Sequence, residues 1–251
     1  MKERTSLKDK TMIVTGASEG LGRYLCAYFA GMGVKVLGIA RNKEKLEDLK
    51  KEAVDNGGTI ETFAASVIDY DKMKEAVDSA AARWGKIDIL INNAGVGKWP
   101  GSIADQTEET IDAVVDTNLK GLIYMTNLVA PHMIEKKDGY MFNISSTAGL
   151  KGSGGYAIYG CTKAAVNNFS EGVAKELINH NIHVVTLCPG GIDTEWWDKW
   201  KKKGKPKKSD VEVLLDREDM AELIEFIMAQ PKRAFYKQVI LPPTSEYIKY
   251  W

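Results

Sequence analysis

The stretch TMIVTGASEGLG, residues 11–22, sets the interpretation of the whole chain. Its first five residues form an apolar run typical of a buried strand, and a pattern of helical period follows. Between the two, Gly16, Gly20 and Gly22 permit a tight turn and let backbone N–H groups at a helix N-terminus approach a pyrophosphate. This order predicts a nucleotide-binding loop. The alternative is a glycine-rich turn that serves only close strand–helix packing. The glycines of this loop have the spacing GxxxGxG, which differs from the commoner GxGxxG of dinucleotide-binding folds.

Short apolar runs alternate with longer segments of helical period along the chain, which is typical of repeated βαβ units. We therefore predict a single-domain α/β fold over residues 1–251, doubly wound and Rossmann-like, with a seven-stranded parallel sheet and helices on both faces. The predicted strands are residues 11–15, 34–40, 59–65, 87–92, 139–145, 182–188 and 236–241. The predicted helical regions are residues 21–32, 43–56, 69–84, 107–136, 156–179 and 218–229.

The composition favours a soluble, cytoplasmic protein. Of 251 residues 44% are hydrophobic, so the chain can bury a substantial core. Lys plus Arg and Asp plus Glu are equal at 34 each, so no overall charge favours nucleic acid. Cys26, Cys161 and Cys188 form no CxxC pair, which fits free thiols in a reducing compartment, and no metal-ligand set is evident. The charged N-terminus precedes only a short apolar run, so we expect neither a signal peptide nor a membrane span.

A tyrosine and a lysine in the middle of the chain indicate chemistry. Tyr159 and Lys163 are four positions apart and therefore on one face of a predicted helix. A lysine cation beneath a phenol oxygen favours the phenolate and lowers the tyrosine pKa, which makes the hydroxyl a usable proton donor or acceptor. The alternative is a chance YxxxK pair, in which the tyrosine covers apolar surface and the lysine is solvated.

Five motifs, one of which includes Tyr159 itself, follow one another in a fixed order along the chain. They are the loop at residues 15–22, Asn92-Asn93-Ala94-Gly95, Asn118 within residues 117–121, Ser146 thirteen residues before Tyr159, and Pro189-Gly190-Gly191-Ile192-Asp193-Thr194. With this set the chain resembles the short-chain dehydrogenase/reductase family, in particular its 3-oxoacyl-carrier-protein reductases and carbonyl reductases. Spacing selects Ser146 over Ser145, and Tyr156 is excluded as the catalytic tyrosine because Gly160 lies four residues beyond it.

The resemblance implies an NADP(H)-dependent oxidoreductase that transfers a hydride between nicotinamide and a carbonyl or secondary alcohol. It implies Tyr159 as acid and base, with Ser146 donating a hydrogen bond to the reacting oxygen. Lys163 would lower the tyrosine pKa and bind the nicotinamide ribose, and Asn118 would hold a water in a proton relay. The implied cofactor-binding residues are Gly16, Ser18, Glu19, Gly20, Leu21, Gly22, Arg41, Val67, Asn93, Ala94, Gly95, Tyr159, Lys163, Pro189, Gly190, Ile192 and Thr194; no metal ligand is implied.

The choice between NADP and NAD depends on the end of the second strand. A carboxylate there would bind the ribose hydroxyls of NAD and repel a 2′-phosphate, but the position holds Ala40, followed by Arg41. This favours NADP. Glu19 and Ser66 point the other way, since NADP-preferring relatives often carry a basic residue at the first position and Asp or Asn at the second. Arg41 could also be a solvated arginine at a strand end.

Residues 194–215 form the segment that, by resemblance, closes over the substrate. Tryptophans at positions 196, 197 and 200 would cover a hydrophobic substrate, and the stretch from 195 to 208 carries seven lysines against two acids. These lysines would attract an anionic substrate or an acyl carrier, or they form a solvated loop. By resemblance we also expect a homodimer or homotetramer that shares the helical regions 107–136 and 156–179.

Two other classes of function remain open. A catalytically silent NADP-binding sensor or scaffold of the same fold is expected to lose Tyr159 or Lys163, and both are present. A surface-binding protein would use the Trp/Lys stretch on nucleic acid or an anionic membrane. That stretch is short and the rest of the chain is net negative, so we expect neither partner.

Overall fold

All seven strands pair in parallel in one sheet. The computed structural model describes residues 7–97, 101–195, 214–245 and 247. The strand order is β3-β2-β1-β4-β5-β6-β7, which confirms the doubly wound prediction. The strands are β1 (Thr11–Thr15), β2 (Lys35–Ala40), β3 (Thr59–Ala64), β4 (Ile89–Asn92), β5 (Gly139–Ile144), β6 (Ile182–Pro189) and β7 (Gln238–Leu241). The order reverses between β1 and β4, and a crevice opens at such a point beyond the carboxyl ends of the strands.

Helices follow the strands as the sequence predicts, with ends within two residues of the predicted ones. They are α1 (Gly20–Gly31), α2 (Lys43–Asp55), α3 (Tyr70–Trp84), α4 (Glu108–Val115), α5 (Gly121–Lys136), α6 (Ala157–Leu177) and α7 (Arg217–Ala229). Side-chain caps stabilise the first turns of several of them. Asn42, Asp69 and Thr107 accept backbone N–H bonds at the first turns of α2, α3 and α4.

The helical region 107–136 is not one regular helix. A π-helical turn, Asp116–Lys120, separates α4 from α5. Such a turn accommodates one extra residue and is frequently found at functional sites. Hydrophobic period alone did not reveal it, because a single wide turn leaves the apolar pattern on either side intact.

Apolar side chains cover both faces of the sheet. Neighbouring residues of a strand point to opposite faces, so Val14 packs into one cluster and Ile13 into the other. The first cluster joins β1, β4 and β5 to α1 and α7, and Phe29 and Phe142 are completely buried in it. The second joins the same sheet to α3, α5 and α6. Within the described residues, no helix is both long and apolar enough to cross a membrane.

Candidate active site

Ser146, Tyr159 and Lys163 converge beyond the carboxyl end of β5. Ser146 lies two residues beyond the end of this strand, whereas Tyr159 and Lys163 lie one turn apart near the start of α6. The Ser146 and Tyr159 hydroxyls are hydrogen-bonded to each other. Nζ of Lys163 lies 5.6 Å from the centroid of the Tyr159 ring. The structure therefore brings together the three side chains on which the sequence-based mechanism depends.

Lys163 is buried, and its ammonium is held by the strand beneath it. Nζ donates a hydrogen bond of 2.8 Å to the carbonyl oxygen of Ile144, the last residue of β5. Ser145 holds the same residue from the other side, because its hydroxyl donates to the Lys163 carbonyl oxygen at 3.0 Å. Burial penalises the charged form and lowers the pKa of Lys163 to about 8.

The pKa of Tyr159 differs from the sequence-based expectation. Burial raises this pKa to about 12, and the hydrogen bond from Ser146 only partly opposes the rise. We expected Lys163 to lower the pKa, and in the structure desolvation dominates instead. The ammonium of Lys163 donates a hydrogen bond to the Ile144 carbonyl oxygen, so it is oriented toward that oxygen rather than toward the Tyr159 hydroxyl alone.

Asn118 lies in the π-helical turn and links two parts of the site. Its Oδ1 accepts a hydrogen bond of 2.7 Å from the backbone N–H of Val96, and its Nδ2 donates to the Val96 carbonyl oxygen at 3.0 Å. Nδ2 also lies 3.2 Å from the hydroxyl of Thr162, which itself donates to the Tyr159 carbonyl oxygen. Asn118 thus fixes the loop after β4 against α6. The sequence analysis missed Thr162, although its place between Tyr159 and Lys163 was a usable signal.

The glycine-rich loop is packed tightly onto the end of β4. Gly16 has φ of +73°, a conformation that glycine adopts without strain. Nδ2 of Asn93 donates to the Thr15 carbonyl oxygen at 3.0 Å, and the Thr15 hydroxyl accepts from the N–H groups of Asn93 and Ala94, each at 3.0 Å. Thr15 was not among the predicted site residues, and its position as the last residue of β1 could have identified it.

The first turn of α1 offers backbone N–H groups toward the same edge of the sheet. Glu19 occupies the N-cap position, but its side chain makes no capping bond, and the first turn carries no acidic residue. Such a turn can accept an anion. Thr194 approaches it closely, since a Cβ added at Gly20 would lie 3.4 Å from the Thr194 Cβ. Two predicted cofactor segments, the loop and the residues after β6, therefore meet here.

The segment after β6 is held by backbone bonds to its neighbours. The Gly190 N–H donates to the Leu241 carbonyl oxygen at 3.0 Å, directly after the buried Pro189. Ile192 forms an isolated bridge with Leu215. Of the predicted lid at 194–215, residues 196–213 lie outside the described part of the chain, and the Trp/Lys stretch lies almost wholly within them.

The remaining predicted cofactor-binding residues differ in how far their side chains are exposed at the carboxyl edge of the sheet. Gly95 lies beside the site, since a Cβ there would be 3.8 Å from Nζ of Lys163, and Ser18 is partly exposed in the loop. The side chains of Leu21 and Val67 are buried in the apolar core, so only their backbones could contact a cofactor. Arg41 is exposed at the end of β2.

A charge pair that was not predicted from the sequence joins the glycine-rich loop to α2. Nζ of Lys45, in the first turn of α2, is 2.8 Å from Oε2 of Glu19. Lys45 therefore places a positive charge beside the acidic residue that counted against NADP. The two residues are 26 positions apart, and only the fold shows that they meet.

The sequence model of the short chain dehydrogenase family matches residues 10–205. The chain belongs to the short-chain dehydrogenase family. Among its relatives in this family, a 3-oxoacyl-acyl-carrier-protein reductase from Thermotoga maritima is 34% identical over 238 residues, which are 93% of this chain and 96% of the relative. This membership makes the protein an oxidoreductase.

Solved structures of other short-chain dehydrogenases have the same fold. A serine dehydrogenase complexed with NADP⁺ in its closed form is 32% identical, with a TM-score of 0.85 over 92% of this chain and 94% of that one. A metagenomic short-chain oxidoreductase in complex with NADP is 29% identical, with a TM-score of 0.82 over 96% of this chain and 99% of that one. A nicotinamide dinucleotide is therefore the cofactor class of this short-chain dehydrogenase.

Proposed function

We propose that this short-chain dehydrogenase is an NADP(H)-dependent reductase of carbonyl compounds, which also oxidises the corresponding secondary alcohols. One observation carries the proposal: the hydroxyls of Ser146 and Tyr159 are hydrogen-bonded to each other beside the ammonium of Lys163. Two hydroxyl donors at one point suit an oxygen that gains negative charge during a reaction. Membership of the family supports the reaction class, and this geometry supports the choice of Ser146, Tyr159 and Lys163 as the catalytic residues.

The residues at the edge of the sheet fit a dinucleotide. Backbone N–H groups in the first turn of α1 suit its pyrophosphate, since no side chain of the helix caps them. Asn93, Ala94 and Gly95 lie between this turn and Lys163, which places them along the path from phosphate to nicotinamide. When bound, the reduced cofactor supplies the hydride.

Tyr159 donates the proton in this proposal. A native pKa of about 12 keeps its hydroxyl protonated at neutral pH, which suits a proton donor in carbonyl reduction. The reverse reaction needs the phenolate, so alcohol oxidation should rise with pH. Burial lowers the pKa of Lys163 to about 8, so the charge beside the Tyr159 ring changes with pH near neutrality.

Charge at the end of β2 supports NADP over NAD. Ala40 is buried and offers no carboxylate for ribose hydroxyls, while Arg41 is exposed directly after it. Glu19 is paired with Lys45, which offsets its repulsion of a 2′-phosphate. Both solved relatives described above were crystallised with NADP. The test is kcat/KM for NADPH against NADH, and a preference for NADH would overturn this part of the proposal.

A carbonyl bearing an anionic group or carried as an acyl thioester is the substrate class that we propose. The 34% identity to a 3-oxoacyl-acyl-carrier-protein reductase and the seven lysines between residues 195 and 208 support it. Screening should therefore include 3-oxoacyl thioesters of acyl carrier protein and of coenzyme A beside neutral ketones. If KM for the anionic substrates does not rise with ionic strength, steering by these lysines is excluded.

The decisive experiment substitutes Tyr159→Phe. We expect turnover to fall by about 10³-fold or more, because the proton donor is lost, while the Kd for NADPH stays within about threefold. Thr110→Val, at a partly exposed position of α4, is the control for non-specific effects. A Tyr159→Phe variant with near-normal turnover would show that another group donates the proton.

The second candidate is a silent NADP-binding sensor or scaffold. Wild-type protein that binds NADPH but turns over no carbonyl or alcohol in the screen would favour it. We also propose a single domain, assembled as a homodimer or homotetramer through the faces of α4 to α6, which analytical ultracentrifugation can test.

A further inference from the structure

Asn167 lies one helical turn beyond Lys163 on α6 and belongs to none of the predicted site positions. Its Nδ2 donates a hydrogen bond of 3.2 Å to the carbonyl oxygen of Gly149. Gly149 ends the short 3₁₀ turn Thr147–Gly149, which begins directly after Ser146. Asn167 thus ties the backbone next to the candidate catalytic serine to the helix that carries the tyrosine and the lysine.

The turn controls where the Ser146 hydroxyl points. Oγ of Ser146 accepts a hydrogen bond of 3.1 Å from the N–H of Ala148, and the Gly149 N–H donates to the Ser146 carbonyl oxygen at 3.0 Å. The turn is also pressed against α6, since a Cβ at Gly149 would lie 2.6 Å from the carbonyl carbon of Lys163. A small displacement of this turn would therefore move the Ser146 hydroxyl away from Tyr159.

Two further side chains fix the orientation of the Asn167 amide. The thiol of Cys188, completely buried on β6, donates to Oδ1 of Asn167 at 3.6 Å. Nε2 of Gln238, on β7, donates to the same sulfur at 3.3 Å. The donors run in one direction, from Gln238 through Cys188 and Asn167 to the Gly149 carbonyl. A flipped Asn167 amide would lose both of its bonds.

We propose that Asn167 is a positioning residue for the reaction, which holds the Ser146 turn against α6, and that Cys188 orients its amide. Asn167 acts on the backbone of the turn through the Gly149 carbonyl oxygen, and Cys188 lies beside the backbone N–H of Ser146 as well as the Asn167 amide. The expected loss of kcat rests on the proposed carbonyl reduction, whereas the expected loosening of the Ser146 turn does not. The test therefore measures both kcat and hydrogen exchange.

The substitutions are Asn167→Ala and, as a matched control, Asn168→Ala, which truncates the neighbouring exposed asparagine of the same helix. Hydrogen exchange followed by mass spectrometry needs no substrate. We expect amides of residues 146–150 to exchange about tenfold faster in Asn167→Ala and at the wild-type rate in Asn168→Ala. We also expect kcat to fall about tenfold, with the Kd for NADPH within about twofold of wild type, because only the donor beside the substrate oxygen is displaced.

The pH profile separates positioning from a general loss of structure. Since the Ser146 bond opposes the rise in the Tyr159 pKa, a displaced Ser146 should move the profile of alcohol oxidation to higher pH by about half a unit or more in Asn167→Ala. Cys188→Ser keeps a donor toward Oδ1 and should retain more than half of kcat. Cys188→Ala removes this donor and should lose about threefold in kcat.

Each outcome decides something. Unchanged exchange and kcat in Asn167→Ala would overturn the positioning role. Faster exchange in a protein whose wild type shows no turnover would leave the structural role standing and refute the proposed reaction instead. If Asn167→Ala does not fold, the Cys188 pair carries the test, and equal exchange in Cys188→Ala and Cys188→Ser would overturn the proposal.

Discussion

Replacing Gly22 by alanine should disrupt the glycine-rich loop. The added Cβ would lie 2.3 Å from the Gly16 carbonyl oxygen and 2.5 Å from Nδ2 of Asn93. Both distances are about 1 Å shorter than ordinary contact, so the loop and α1 must separate. Separation would break the bonds from Asn93 to the carbonyl oxygens of Thr15 and Gly16, now 3.0 and 3.5 Å long.

The cost can be worked from these contacts. Overpacking of this kind costs about 1–3 kcal/mol, and each lost hydrogen bond adds about 1 kcal/mol. We therefore expect Gly22→Ala to lower the free energy of unfolding by about 3–5 kcal/mol. The Kd for NADPH should rise about tenfold or more, because the first turn of α1 moves away from the end of β4.

Gly31→Ala is the matched control, since Gly31 ends the same helix and a Cβ there would meet nothing within 4 Å. Urea unfolding followed by tryptophan fluorescence measures the stability, and NADPH fluorescence titration measures the binding. A Gly22→Ala variant as stable as Gly31→Ala, with the same Kd, would refute the tight packing of loop against β4.

Two further predictions concern charge. Glu19→Gln should raise the ratio of kcat/KM for NADPH to kcat/KM for NADH about threefold, because it releases Lys45, and Lys45→Met should lower that ratio. Lys43→Met, at an exposed position of the same helix, is the control. Equal ratios in all variants would exclude the Glu19–Lys45 pair from cofactor choice. Burial lowers the pKa of His183 below 6.5, so the unfolded state binds the proton first and stability should fall as pH drops below about 6.5, until the native pKa is reached. Urea unfolding across pH 5–8 should show a shallower fall in His183→Gln than in wild type, and an unchanged slope would contradict the role of His183.

Sequence patterns predicted the ends of each strand to within two residues, because strands such as β1 and β5 are buried on both faces and consist mostly of apolar residues. The candidate catalytic residues could also be predicted from local sequence. Tyr159 and Lys163 are one helical turn apart, and Ser146 precedes Tyr159 by thirteen residues.

Contacts between distant segments were beyond sequence reasoning. The pairing of Lys45 with Glu19 and the chain from Gln238 to Asn167 exist only once the strands are arranged side by side. The raised pKa of Tyr159 was missed for another reason. Sequence spacing shows that Lys163 is near Tyr159. It does not show how far burial removes the Tyr159 hydroxyl from water, or that Lys163 also donates a hydrogen bond to the Ile144 carbonyl oxygen.

The π-helical turn at Asp116–Lys120 also preserves the rotational phase of the helix that follows it. A π-turn is wider than an α-turn and takes one more residue to complete, so the extra residue is absorbed within the turn and α5 continues at nearly the rotation of an unbroken helix. The buried stripe of α5, formed by Leu122, Met125, Val129 and Met133, therefore stays under the sheet. Removing the extra residue would change the wide turn itself, where Asn118 lies, rather than the packing of α5.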